Sequence, residues 1–537
     1  MPKRAIWVIL LALILISLPY GIAALANQPE YVFGGFLLNP QDGNTYLAKM
    51  YQGWRGDLRF TLTYSADPGQ GGYLNLYYLF LGHLARWSGL SLFSIYHLAR
   101  LVGAALMLLA LWRFFAVTIS GERWRVWAFA FASLGLGLGW LVFAFGVITS
   151  DFWVAEAYPF LSAFSNPHFP LGLAFLLWLL TLPGLYWNEQ LSGWLADWKA
   201  GVAALLLSIL SPFGIAIALA VLAGLLIWEL AAQMASGSGH SLSSALAAPV
   251  CRRLFYRLIW ISILGIPVVL YDLWATRADP QLAAWNAQNL TLTPPAWDVL
   301  LALSPALLLA LPGAWQVVRR HERYGRVLLV WALISFALIY LPFGLQRRFL
   351  IGLYVPLVGL AVYGLEVFAT RYSMRTARWA AVLTLGIALP TTLLILSVGI
   401  FGARTHDPAL YLTQSEAQAL EWLEGNTPGD ALVLAAPETG LLIPAHSGRR
   451  VIYGHRFETV NAEAEEAQVV KFFQGYNEGD STSPSNFLEQ RRVDYLIYGP
   501  RERKLGPLPE LLDLHQVFAT GVPGADEVVI YRVDRTR

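Results

Sequence analysis

Apolar runs recur along the chain from residue 5 to residue 402, and the short stretches between them collect the arginines. Candidate membrane spans read from these runs cover residues 5–25, 92–117, 126–148, 169–187, 200–231, 258–276, 298–317, 327–345, 349–370 and 379–402. The run at 200–231 is too long for one span and is broken at Ser211, Pro212 and Phe213, so it reads as two short helices. Counting that break as a hairpin gives about eleven passes. The first run follows a basic start, MPKRA, and its apolar part has the roughly 20 residues of a span, which exceeds a signal-peptide core; it reads as a retained first helix.

Beyond residue 403 the pattern changes. Within 404–537, SEAQALEWLEGN reads as a helix capped by its serine, and ALVLAA and RRVIYGH read as strands. A helix over 463–474 and the strands VDYLIYGP, LHQVFATG and EVVIYRV complete a small α/β domain. The expected fold is therefore an α-helical polytopic membrane protein, residues 1–403, followed by an extracytoplasmic α/β domain, residues 404–537. SGSGHSLSSALAA, residues 236–248, reads as a cytoplasmic linker.

Composition narrows the class. Of 537 residues 56% are hydrophobic and only 13% charged, with 21 tryptophans and a mean hydropathy of +0.51. Soluble domains carry about twice that charge, so a soluble protein is excluded. The net charge of +2 contains no basic cluster that would suit nucleic acid. Cys251 is the sole cysteine, which rules out an internal disulfide and a Cys-rich metal site.

Charge also orients the chain. Lys3 and Arg4, and the arginines within 123–125, 252–257, 319–326 and 371–378, mark cytoplasmic loops. They agree with one another if 72–87 lies in the outer interface without crossing. The N-terminus is then cytoplasmic and 404–537 lies outside. Arg347 and Arg348 fall at the outer rim, against the positive-inside bias. Either they snorkel to headgroups or something anionic compensates them.

The first outer loop, residues 26–91, is long enough to imply a task. After Asp42, residues Tyr46, Leu47, Met50, Tyr51 and Trp54 share one helix face, which reads as a juxtamembrane helix, with 73–87 as a second. Asp42 is either an N-cap or a general base held at the membrane surface. His97 and Arg100 lie one turn apart near the outer end of the second span. Asp151 and Glu156 open the second outer loop, and Asn166 and His168 close it. Taken singly, Asn166 reads as a helix cap, His168 as an interfacial residue and Arg100 as a snorkelling one. Together they place acids and arginines on one side of the membrane. In PETGLLIPAHSGRRVIYGHRFET, Glu438, His446, Arg449, His455 and Glu458 could shape a surface for an acceptor or partner, and the two histidines lack metal-ligand spacing.

The order QDGNTYLAKMYQG, then GYLNLYYLFLGHLARWSGLSLFSIYHLARLVGA, then ITSDFW resembles the GT-C superfamily of integral-membrane glycosyltransferases, which includes protein O-mannosyltransferases and lipid A aminoarabinose transferases. The resemblance covers residues 1–190 as pattern. It implies transfer of a sugar from a polyprenyl-phosphate carrier to an unidentified acceptor at the outer face. By position Asp42 matches the first-loop acid that deprotonates the acceptor, and Asp151 matches a second outer acid that positions substrate or a cation. Arg100, Arg347 and Arg348 would bind the donor phosphate, with His97, Asn166 and His168 as substrate contacts. No cofactor is firmly implied, though the resemblance leaves room for a divalent cation. Many members carry two acids in the first loop, whereas here Asp42 is followed by Gly43. A transporter of a lipid-linked or small solute, and a catalytically silent assembly partner, remain the alternatives.

Overall fold

The computed structural model describes residues 1–186, 197–235, 242–475, 483–509, 511, 514–524 and 526–534. The expected linker residues 236–241 and the last residue of the 169–187 run lie outside them. Most of the chain is helical. Six helices are long and apolar enough to cross a membrane: Lys3–Leu25, Leu92–Thr118, Pro212–Ala235, Pro249–Ala278, Gln346–Arg371 and Met374–Arg404. A seventh is added if the pair Ala296–Leu303 and Ala306–Arg319, bent by 84° at Ser304 and Pro305, counts as one. The chain is an integral membrane protein.

Three expected spans differ from the helices that form. In the run 126–148 the helix Glu122–Leu134 stops early, because Gly135, Gly137 and Gly139 follow in alternation and release the backbone, and only the short helix Trp140–Phe143 follows. The run 298–317 is the bent pair, broken where a proline follows Ser304. The run 327–345 stops at Leu338, short of Pro342 and Gly344. The break at Ser211 falls where proline puts it, with helices Trp198–Leu210 and Pro212–Ala235 on either side.

Contacts divide the chain into two units. A helical unit comprises residues 1–19, 97–271 and 291–399; a mixed unit comprises 20–96, 272–290 and 400–537. In the helical unit the Tyr354–Arg371 helix is buried on every side from Tyr354 to Leu365, which suits its uniformly apolar sequence. Two buried ion pairs form there: Arg257 meets Asp197 at 2.5 Å, and Arg326 meets Glu229 at 2.5 Å.

The mixed unit holds two sheets. Strand β1 (Tyr31–Phe33) pairs antiparallel with β2 (Tyr411–Thr413). The second sheet contains β3 (Leu432–Leu434), β4 (Arg450–Val451), β5 (Tyr495–Tyr498), β6 (Leu514–Thr520) and β7 (Val528–Val533), in the order β4-β3-β5-β7-β6. The first three are parallel and the last two antiparallel. Period-two alternation separates two cores. Val433 and Ile497 face Leu420, Leu423 and Ile443, whereas Leu432, Leu434 and Leu496 face Phe472, Phe473 and Phe487. The 414–426 helix is capped by Thr413 in a reciprocal capping box with Glu416, two residues before Ser415, the serine expected to cap it.

The first-loop helices form at Pro40–Arg55 and Leu76–Ser88. Their backbones approach so closely that a Cβ on Gly53 would collide with the Leu79 carbonyl, and one on Gly82 with that of Met50. The apolar face read as lipid-facing is instead closed by protein over most of its length. Leu47, Met50 and Tyr51 are buried, and Tyr46 stacks on Tyr78 at 4.3 Å, leaving Trp54 partly exposed. Asp279 ties the loop between these two helices to the 280–288 helix, accepting from the backbone N–H of Gln70 (2.6 Å) and Gly71 (3.1 Å).

Candidate functional site

Asp42 stands in the first turn of the Pro40–Arg55 helix. Asn39 is the residue that precedes the helix, in the left-handed region, and no side chain there caps the backbone. The N-cap reading of Asp42 is therefore replaced by a carboxylate that satisfies no amide of its own helix. Negative charge at this end of a helix is favoured by its dipole. One carboxylate oxygen accepts from Asn39 Nδ2 at 2.5 Å; the other lies 3.7 Å from His455 Nε2. The side chain is about one-third exposed, at 37%.

His455 is held by its own turn. Its Nδ1 accepts the Phe457 N–H at 3.1 Å, so a neutral ring carries its proton on Nε2, facing Asp42. Burial pushes the His455 pKa down, outweighing the nearby Glu458 and Asp42 carboxylates that raise it. The ring is thus neutral at pH 7, and its relation to Asp42 is that of an N–H beside a carboxylate rather than an ion pair. Behind it Glu458 receives the buried Lys49 ammonium at 2.6 Å, and Lys49 also lies 5.0 Å over the Tyr46 ring. Lys49 carried no signal in sequence beyond a charge on an otherwise buried helix face.

In the helical unit Asp151 is fully buried. Its carboxylate accepts from Thr149 Oγ1 at 2.6 Å and from the Gly139 N–H at 3.0 Å. A side chain on Gly139 would collide with that carboxylate, so glycine is what lets the amide reach it. Burial raises the Asp151 pKa and these hydrogen bonds offset only part of the rise. Next to it Asp298 accepts from the N–H and Oγ of Ser150, at 2.8 and 2.6 Å. Each Asp151 oxygen thus accepts a hydrogen bond from its own segment of chain. Among the described residues no group of three His, Cys, Asp or Glu side chains is arranged to hold a metal.

Arg347 and Arg348 lie on the one-turn 3₁₀ segment Gln346–Leu350. The anionic partner expected for this pair is Glu156, whose carboxylate lies 3.7 Å from Arg347 Nε. The Arg347 guanidinium lies 4.9 Å over the Trp153 ring, and its Nε has no hydrogen-bond partner among the described residues. Arg348 is exposed, with its guanidinium 5.8 Å over Phe213. Arg100 differs: it is buried and donates to the carbonyls of Ile16 (3.2 Å) and Ala163 (3.0 Å), with Nε 3.4 Å from His97 Nδ1. It does not snorkel. Asn166 is buried just before the helix that starts at His168, whose half-buried ring lies 4.0 Å from that of Phe169.

The structure is similar to that of ArnT from Cupriavidus metallidurans bound to undecaprenyl phosphate, with a TM-score of 0.51 and 12% identity over 97% of each chain. The apo form of that protein gives 0.51 and 12%, over 99% of this chain and 98% of that one. A mutant of the mycobacterial arabinofuranosyltransferase AftD gives 0.51 and 15%; it covers all of this chain, which spans 42% of AftD. The chain shares its fold with ArnT. No protein-family model and no curated protein sequence matches it. The similarity extends well past residue 190, to which the sequence pattern was confined.

Proposed function

We propose that this protein is a membrane glycosyltransferase that moves a sugar from a polyprenyl-phosphate donor to an acceptor on the extracytoplasmic side. The observation that carries the reading is Asp42: a first-loop carboxylate, in a chain that shares its fold with ArnT, that caps nothing and keeps an oxygen open. In this reaction Asp42 takes the proton of the acceptor hydroxyl as its oxygen bonds to the anomeric carbon. The bond from that carbon to the phosphate oxygen breaks, and its electron pair leaves on the carrier phosphate, with inversion. General-base assistance of this kind contributes on the order of 10² to 10⁴ in rate.

Arg347 and Arg348 are the residues we assign to the donor phosphate. A guanidinium supplies paired N–H donors that match phosphate oxygens and offset charge on the leaving group. Arg347 leans on an aromatic ring and stays about one-quarter exposed, which suits an anion better than the Arg100 guanidinium, buried and already committed to two carbonyls. Arg100, with His97, Asn166 and His168, then shapes the surroundings rather than gripping the phosphate. Asp151 enters as a positioning residue that fixes the 139–151 segment.

The reading includes a cytoplasmic N-terminus and an extracytoplasmic 404–537 domain. With the bent pair, the three shorter apolar helices and Glu122–Leu134 taken as crossings beside the six long helices, the passes number about eleven. The test is transfer of label from a panel of radiolabelled polyprenyl-phosphate sugars by protein reconstituted in liposomes. Transfer that is abolished in Asp42→Asn supports the assignment. Undiminished transfer in that variant removes Asp42 as the base, and solute uptake without any transfer replaces the enzyme with a transporter.

A further inference from the structure

The parallel strands of the mixed unit end in one direction, and the chain leaves β3 first to β4 on one side and later returns as β5 on the other. Such a reversal opens a crevice beyond the carboxyl ends of the strands, where α/β sheets bind ligands. A cavity of about 420 Å³ lies there. Segments that follow all three strands line it: Glu438 after β3, His455 and Arg456 after β4, and Arg501 and Lys504 after β5. The start of the first-loop helix, with Gln41 and Asn44 on either side of Asp42, lines it as well. The volume is within the range of about 300–1,000 Å³ usual for small-molecule sites.

The lining discriminates among ligands. Glu438 and Glu466 oppose Arg456 and Lys504, while Arg501 is neutralised by Glu416 at 2.7 Å and Glu438 at 3.4 Å. No net positive field remains to favour a phosphate or other anion. An apolar ligand would waste these charges and the two amides. A saccharide suits both features, since each hydroxyl donates and accepts, and Leu410 and Leu441 add half-buried apolar surface beside the polar groups. We propose that this crevice is the acceptor site and that the acceptor it takes is a carbohydrate, bound by its neutral polyhydroxylated end. The cavity wall carries His455, whose Nε2 lies 3.7 Å from Asp42, so a hydroxyl of the bound sugar is delivered to the carboxylate assigned as base. This inference rests on the transferase reading for its acceptor role, but the binding site stands on the geometry alone.

The experiment uses the full chain in nanodiscs, with neutral hexose and pentose tetrasaccharides as probes. Saturation-transfer NMR reads binding without turnover, and the transfer assay reads KM for probe and donor separately. Glu438 and Arg456 are exposed, and Glu466 accepts only a tyrosine hydroxyl among its described hydrogen bonds, so Glu438→Ala, Arg456→Ala and Glu466→Gln are expected to fold. Each should raise the probe's KM about tenfold, the weight of one charge-assisted hydrogen bond, with donor KM unchanged and the NMR signal weakened. If no donor supports transfer but a tetrasaccharide signal appears and fades in the variants, the transferase reading fails and the saccharide site stands. Tetrasaccharides silent against the native chain, or probe KM and signal unmoved in all three variants, overturn the proposal. A rise in donor KM with probe KM constant overturns it too.

Discussion

Asp42 and Asp151 look alike in sequence, each an acid in an outer loop beside small or polar neighbours. In the mixed unit Asp42 keeps one oxygen open, beside a neutral imidazole N–H at 3.7 Å. In the helical unit Asp151 is enclosed, with both oxygens receiving hydrogen bonds from residues of its own segment. The lesson is that a carboxylate's role follows from how many donors already surround it. A buried carboxylate with both oxygens engaged holds structure, and one with an oxygen open to solvent remains available for a proton.

The largest effect that separates the two is expected on turnover. Asp42→Asn should lower transfer of labelled sugar by about 10² to 10⁴ with the unfolding temperature unchanged, because the lost charge is partly solvated and bonded to one side chain. Transfer at the native rate would break the comparison on its catalytic side.

Acid should pull the units in opposite directions. The imidazole of His446 is pushed down to about 4 by burial, and its Nε2 has no partner among the described residues. Its folded pKa lies below the ordinary value of 6.5, so its contribution is present above pH 6.5 and lost as pH falls toward 4. The full loss is about 3 kcal/mol. Burial moves His455 the same way. Asp151 has the opposite sign: its folded pKa is raised above 3.8, so its contribution is complete below that value and declines as pH rises through the folded pKa. Hydrogen-exchange protection, corrected for the intrinsic rate at each pH, should therefore fall in segment 437–451 between pH 7 and pH 4, and His446→Leu should flatten that response. An equal loss of protection in 139–151 would contradict the assignment.

Asp151→Ala should lower stability by about 2–3 kcal/mol, since it strands the Gly139 amide and the Thr149 hydroxyl in apolar surroundings. Activity per folded molecule should stay within a few-fold, read as transfer normalised to the folded fraction. A well-folded but inactive variant would return Asp151 to the chemistry. A smaller effect is expected for Arg347→Ala, a rise of about tenfold in donor KM with kcat less affected. Glu156→Gln should move donor KM by less, because at 3.7 Å that carboxylate only compensates the guanidinium.

Much of the architecture was legible from the chain. Apolar runs announced the long helices, because a residue facing lipid must be apolar whatever its neighbours do. Ser211 and Pro212 announced the break between two helices, since proline cannot donate the missing hydrogen bond. The strands of the C-terminal sheet showed themselves by alternation, and of the two readings left open for the arginine pair, Arg347 meets the compensating anion in Glu156.

Other features were decided only when distant segments met. Lys49 meets Glu458 across 409 positions of sequence, and His455 reaches Asp42 across a similar gap, so no local pattern could pair them. The early end of the 122–134 helix is set by glycines that the apolar count treated as neutral, one of which must be bare to admit the Asp151 carboxylate. Hydrophobicity is a property of each residue and is written in the order of the chain. The number of donors around a carboxylate belongs to its surroundings, and only folding assembles those.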